Sequence, residues 1–269
     1  MDETAFSSLD FQYILDRIEV VTPYGQIYKK KMRAYTPGEE AKLNGELNEV
    51  ERIKFLIEDR EFLRSIKDIL ESIKDIRNSI KRMEKGGVLS DVELFEIKKF
   101  LLSIRKLKSA LYNKEKTLAL DYNIKPLEEL ERLLDPEGTS LPTFYIYDAY
   151  SKDLKRLRQE IRYLQGEMNK ERDLLKNKVE EELNLKINID GTLTVPKDKK
   201  DLIERIKSYP HLAYLGENYM TIKYALKSTD KMDELNQQIQ MLKGREEKQE
   251  EIIRERLSYQ IRKHRKGIW

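Results

Sequence analysis

The sequence predicts a mainly α fold: a helical core bundle, a long antiparallel two-helix lever and a small α+β head at its tip. Three observations predict it. From about Tyr147 to Leu183 there is no proline and a single glycine, Gly166. From about Thr229 to Lys266 the same holds, the glycine being Gly244. Between these stretches the period of the apolar residues switches from helical to alternating. Each long stretch, if continuous, spans roughly 50–55 Å at ~1.5 Å rise per residue, whereas globular helices average three or four turns. The expected division is a helical core over 1–143, an outgoing lever helix over 144–183, a β-containing unit over 184–227 and a returning helix over 228–269.

The elements follow in order. Leu9, Tyr13, Ile14 and Ile18 have helical spacing, and Thr22-Pro23-Tyr24-Gly25 breaks that helix. Thr36-Pro37-Gly38-Glu39 has the shape of a capping box, with Thr36 as N-cap and Pro37 at the first helical position. Its helix places Leu43, Leu47, Val50, Ile53, Lys54 and Ile57 on one face, and Phe62, Ile66, Ile69, Leu70, Ile73, Ile76 and Ile80 continue the pattern. These residues are expected to pack in a core. Gly86-Gly87 stops the chain, and Ser90-Asp91-Val92-Glu93 is a second capping box. The helix that follows runs to about Tyr112 with Leu94, Ile97, Leu101, Ile104, Leu107 and Leu111 inward. Residues 135–142, Asp-Pro-Glu-Gly-Thr-Ser-Leu-Pro, read as a linker.

The outgoing helix carries Leu154, Leu157, Ile161, Leu164 and Met168 at 3-4 spacing, continued by Leu175 and Val179. The returning helix carries Met232, Leu235, Ile239 and Leu242, then Ile253, Leu257 and Ile261. These are heptad seams, and the returning one lapses into charge between Lys243 and Glu251. In the head, Leu185, Ile187 and Ile189 alternate with polar residues. Asp190-Gly191 reads as a tight turn and Leu193 and Val195 alternate after it, so a hairpin is expected there. Residues 198–208 predict a short helix on Leu202, Ile203 and Ile206. Residues 213–225 predict one or two further strands.

The chemistry legible in the sequence is sparse. The chain has 269 residues, 39% hydrophobic and 38% charged, with a net charge of only +3 and no cysteine. Disulfides, thiolate catalysis and cysteine zinc sites are therefore excluded. The acidic start, MDETAFSSLDFQ, lacks the apolar stretch of a signal peptide. No apolar run approaches the ~20 residues of a membrane span. A cytoplasmic protein is expected. The two histidines, His211 and His264, are too few for a metal site or a triad, and no glycine is followed by Lys-Ser or Lys-Thr as a phosphate loop requires. No catalytic residue and no metal ligand is expected. Basic clusters remain. The head carries Lys186, Lys197, Lys199, Lys200, Arg205, Lys207 and Lys223, the candidate phosphate contacts. The C-terminal segment carries Arg254, Arg256, Arg262, Lys263, Arg265 and Lys266. Such residues bind nucleic-acid backbones without reading sequence.

Three passages of the chain resemble the MutS family. Asp75-Ile76 followed by Arg82-Met83-Glu84-Lys85-Gly86-Gly87-Val88-Leu89-Ser90 resembles the "Asp-Ile … Arg-x-Glu-x-Gly-Gly-x-Leu" passage of its core domain. Leu134-Asp135-Pro136-Glu137-Gly138, then Phe144-Tyr145-Ile146-Tyr147-Asp148-Ala149-Tyr150-Ser151 and Leu154, looks like the entry to its lever helix. Leu9-Asp10-Phe11, Ile14-Leu15, Thr22-Pro23-Tyr24-Gly25 and Tyr35-Thr36-Pro37 are similar to the start of that core. The likeness covers residues 1 to about 183; it is weak over the head, and the returning helix matches only by position.

The resemblance implies a helical core, a lever, and a small clamp at the lever tip that touches nucleic-acid backbone. It implies a parent protein that is an ATPase using ATP and magnesium and that dimerises, the ATPase domain being expected beyond Gly267-Ile268-Trp269. The chain itself is then a non-enzymatic fragment or truncated relative without a cofactor of its own. No Phe-x-Glu, the motif that stacks on mispaired bases, occurs in the sequence, so the likeness is to members lacking mismatch recognition. The expected partner is double-stranded or branched DNA, bound non-specifically, as in DNA repair or recombination. Two other readings stand beside it: a structural coiled-coil interaction module, and a ribosome-associated MutS-like factor that binds structured RNA.

Overall fold

The structure, a computed structural model, describes residues 11–118 and 127–264. The expectations for Leu9, Arg265 and Lys266, and for the side chain of Ile57, lie outside the described residues. Among them the protein is mainly helical, with one small antiparallel sheet. Two compact units divide the chain: Met1–Ala149 with Ile252–Trp269, and Tyr150–Glu251.

The first unit contains α1 (Phe11–Arg17), α2 (Pro23–Lys31), α3 (Glu40–Ile57), α4 (Arg60–Glu71), α5 (Arg77–Glu84), α6 (Asp91–Leu118) and α7 (Glu128–Leu134). Helix α6 is its spine: α4 and α7 both pack on it. Its start is the predicted capping box. The Ser90 amide donates to Glu93 Oε2 at 2.9 Å and the Glu93 amide to Ser90 Oγ at 3.3 Å, satisfying two otherwise orphaned donors. Before it, Gly86 takes φ +93° and ends α5. At Gly87 a Cβ would stand 2.9 Å from Arg82 Cγ and 3.0 Å from its carbonyl oxygen, so the turn closes only around glycine. Leu94, Ile97, Leu101 and Leu111 are buried as expected, with Leu130, Leu134, Ile146, Leu257 and Ile261. The Leu89 amide donates to Ser258 Oγ at 2.9 Å within this core.

Several expectations are corrected in this unit. Thr22-Pro23 ends one helix and starts the next: Thr22 Oγ1 accepts from the Gly25 amide at 2.9 Å and Pro23 is the first helical residue. The Thr36–Glu39 pair forms, with Glu39 accepting from the Thr36 amide at 3.0 Å, but as a turn ahead of α3, which begins at Glu40. Pro37 therefore lies outside the helix. Gly38, at φ +98°, directs the chain there. Leu43, Leu47 and Val50 are exposed rather than buried: among the described elements the main packing of α3 is on α4, and it does not cover these three. Tyr13, Ile14 and Ile18 are likewise exposed, and Leu15 takes the buried position. The run from Phe62 to Ile80 breaks over 73–76 between α4 and α5.

The segment expected as a linker holds the unit's main polar contact. Asp135 is buried, and Lys98, fully buried on α6, donates to its Oδ1 at 3.0 Å and to Tyr147 Oη at 2.9 Å. The Ser140 amide donates to Asp135 Oδ2 at 2.7 Å. Burial opposes charging both groups. The bonds outweigh it: those to Tyr147 and Asp135 raise the Lys98 pKa, and those from Lys98 and Ser140 lower that of Asp135.

The second unit contains α8 (Lys152–Leu183), β1 (Thr192–Pro196), α9 (Lys200–Lys207), β2 (Leu212–Glu217), β3 (Thr221–Leu226) and the first part of α10 (Asp230–Lys263). Ser151 caps α8, accepting from the Leu154 amide at 3.3 Å, so the helix starts later than expected and Tyr147 is left as a core residue of the first unit. Within the unit, α8 and α10 run antiparallel. Leu157 and Ile161 cluster with Ile239 and Leu242. Arg158 bonds Glu246 and Glu250 at 2.7 Å each, and Lys231 pairs with Glu171. The charged lapse in the α10 seam is therefore where Arg158 docks. Leu175 and Val179, expected to extend the seam, pack instead with Leu183 into the core of the sheet, with Met232 against it.

Gly166 and Gly244 lie inside these helices, and a Cβ at either would meet nothing within 4 Å. Alanine at each is expected to stabilise the unit by about 0.5–1 kcal/mol through helix propensity. Thermal melts of Gly166→Ala and Gly244→Ala check this; a lowered midpoint would refute it.

Candidate nucleic-acid interface

The candidate residues lie on the small sheet module at the α8–α10 junction. Asn184, at φ 52°, ends α8 and turns the chain into the module, where the Ile187 amide donates to Glu180 Oε1 at 2.7 Å. The sheet order is β1-β3-β2, antiparallel throughout. The hairpin expected from Leu185–Ile189 to Val195 does not form. Residues 185–188 join no ladder of the sheet, the Asn188 amide reaching the Thr192 carbonyl at 2.8 Å only across the turn; Ile189 is almost fully exposed, and β1 pairs with β3 instead. Gly191, at φ +80°, makes the predicted turn, but the turn delivers the chain into β1. Asp190 Oδ1 holds that turn, accepting from Thr192 Oγ1 at 2.7 Å and from its amide at 3.0 Å, and these bonds lower the Asp190 pKa.

Residues 213–225 supply two strands, β2 and β3, with a bulge between Tyr214 and Gly216. Helix α9 covers one face of the sheet: Ile203 and Ile206 pack with Leu193, Val195, Ile222 and Tyr224. Tyr209 bonds Glu182, and burial followed by that bond pushes its phenol up to about 12.

The seven candidate cations are not collected on one face. Lys197 pairs with Glu217 at 3.2 Å and Lys207 with Glu204 at 2.9 Å. Arg205 donates to the Glu182 carbonyl at 3.3 Å. Lys223 stands on β3 opposite Thr194 and Gly216, on the sheet face away from α9. Lys186, Lys199 and Lys200 are exposed and make no ion pair with the described residues. In the C-terminal cluster, Arg254 pairs with Asp91 at 3.3 Å and Lys263 lies 4.7 Å from the Tyr259 ring centroid.

Sequence reasoning missed a mixed cleft of about 370 Å³ lined by Asn169, Arg172, Asp190, Lys227, Ser228 and Asn236, among others. No local signal could have joined residues so far apart in the chain. An apolar cleft of about 430 Å³ in the first unit, lined by Tyr24, Ile73, Ile76 and Phe100, has one charged lining residue, Arg77, and Asp75 binds that guanidinium. His211 stacks edge-on to Tyr209, and His264 Nδ1 lies 3.3 Å from Glu129. Among the described residues no group of three or more His, Asp or Glu could hold a metal ion, and no helix is long and apolar enough to cross a membrane.

No protein-family model matches the chain. No curated protein is significantly similar to it.

Proposed function

We propose that the chain is the lever-and-clamp part of a MutS-like protein, holding duplex or branched DNA through its backbone without reading sequence. The observation that carries this reading is the placement of charge. Residues 184–227 hold eight basic and five acidic residues, an excess of three that equals the net charge of the whole chain. That excess sits on one small module at the junction of two long antiparallel helices. A polyanion is the partner such a module favours, and phosphate contacts would position it. The core words around Arg82–Ser90 and the entry to α8 support the family. In such a protein a stiff two-helix arm converts a small rotation at its base into a displacement of its far end. ATP and magnesium belong to the parent's ATPase domain, which would also supply dimer contacts.

Lys186, Lys199 and Lys200, which have no ion partner among the described residues, are the first contacts to test. Replacing all three by Ala should weaken duplex binding uniformly across sequences and flatten its dependence on salt, since fewer counterions are released. Fluorescence anisotropy with two unrelated duplexes measures both. Unchanged affinity and slope would move the contacts elsewhere. A chain that binds structured RNA but no duplex DNA would favour the ribosome-associated reading, and one that self-associates without binding either would favour the coiled-coil module.

A further inference from the structure

The turn between β2 and β3 presents large apolar side chains to solvent. Tyr219 is 97% exposed and Met220 73%, with Tyr214 and Leu215 also exposed on the preceding strand. The backbone beneath them is pinned. Asn218 Oδ1 accepts from the amides of Met220 and Thr221 at 2.9 and 2.7 Å, and the Asn218 amide donates to the Thr221 carbonyl at 2.9 Å. The Lys197 amide donates to the Met220 carbonyl at 2.9 Å, which sets this turn beside the Lys197-Asp198 turn that leads through Lys199 into α9 at Lys200. Asp198, Asp201 and Glu217 are the acids nearby in the chain, and Glu217 is engaged by Lys197.

Resting on the nucleic-acid reading above, we propose that Tyr219, flanked by Met220, is a stacking platform for an unpaired base of DNA. Phosphate contacts alone do not explain an aromatic ring so fully exposed on a turn so firmly held. A ring presented on a fixed backbone loses little conformational freedom when a base stacks on it. Every base has a π-face, so the contact reads no sequence but does require an unstacked nucleotide. The module's positive excess selects a polyanion over a neutral surface, and Lys199 and Lys200, which follow the Lys197 amide bonded to the Met220 carbonyl, would supply contacts to the flanking phosphates. The substrate class narrows accordingly, from any duplex to DNA carrying a single-stranded gap, flap or branch.

The test uses the whole chain and fluorescein-labelled DNA at low salt: a 20-nucleotide single strand and a blunt duplex of the same sequence. Tyr219→Ala should weaken single-strand binding between about fivefold and a hundredfold, the range of one lost base stack, and change duplex binding less than about twofold. Tyr219→Phe, which keeps the ring, should restore single-strand binding to within about twofold. Equal losses on both DNAs, or no loss on either, would overturn the inference while leaving duplex binding, and with it the clamp reading, in place. No binding to any nucleic acid would overturn both. Tyr219-dependent binding to vesicles of anionic phospholipid in place of DNA would assign the turn to a membrane surface. Tighter Tyr219-dependent binding to single-stranded RNA of the same sequence would overturn the choice of DNA.

Discussion

Asp135→Ala is expected to cost the helical unit about 3–5 kcal/mol, because it strands the Lys98 ammonium in a core with no counter-charge. Lys98 is fully buried and its two polar contacts are Asp135 and Tyr147. Lys98→Met should cost a comparable amount, leaving Asp135 with the Ser140 amide and the Thr139 hydroxyl. The double variant Lys98→Met/Asp135→Leu should lose far less than the sum, since removing both charges removes the stranded one. Urea unfolding followed by amide exchange along α6 would measure all three. Additive losses would show that the pair is not coupled.

The pair also fixes a pH dependence. Asp135 is depressed in the folded state, so its contribution is complete above the ordinary aspartate pKa near 4 and is lost as pH falls through the folded value. Lys98 is raised, so its contribution is complete below about 10.4 and is lost as pH rises through its folded value. The stability difference between the native chain and Asp135→Ala should therefore be largest around neutral pH, shrink in stronger acid as Asp135 is protonated, and shrink again in alkali as the stranded Lys98 of the variant sheds its proton.

Leu157→Asp or Ile161→Asp is expected to destabilise the second unit by about 3–5 kcal/mol. Each truncates a side chain in the cluster with Ile239 and Leu242 and buries an unpaired carboxylate there. Glu160→Ala, on the exposed face of the same helix, should change stability by less than about 0.5 kcal/mol. Circular-dichroism melts compare the three. Equal shifts for seam and face would mean that α8 and α10 do not pair as described.

What the sequence made legible was local. The Ser90–Glu93 box and the Gly86-Gly87 stop each depend on residues within a turn of one another, and both formed as read. Helix α8 and the returning helix announced themselves by long stretches without proline. Partner choice was not legible. Leu185, Ile187 and Ile189 alternate like a strand, yet β1 takes β3 as its neighbour, with Val195 opposite Ile222, and leaves them outside the sheet. Lys98 and Asp135 lie in a helix and an apparent linker, and only the fold brings them together. Leu43, Leu47 and Val50 show the converse: a helical apolar stripe says what a face can bury, not that something covers it. The cation site was partly legible for the same reason. Composition located the positive module, but which lysines are neutralised by Glu217 and Glu204 depends on the folded arrangement.

The central claim is that residues 184–227 make this chain a backbone-directed DNA binder, and equilibrium titration of a 30-base-pair duplex against salt tests it most directly. The account predicts a dissociation constant of about 10⁻⁴–10⁻⁶ M near physiological salt, independent of sequence. It predicts that log K falls linearly with log salt at a slope of roughly −0.9 per phosphate engaged, and that Lys186→Ala/Lys199→Ala/Lys200→Ala makes the slope shallower. No binding at about 100 μM protein in low salt, or binding indifferent to salt, would contradict it.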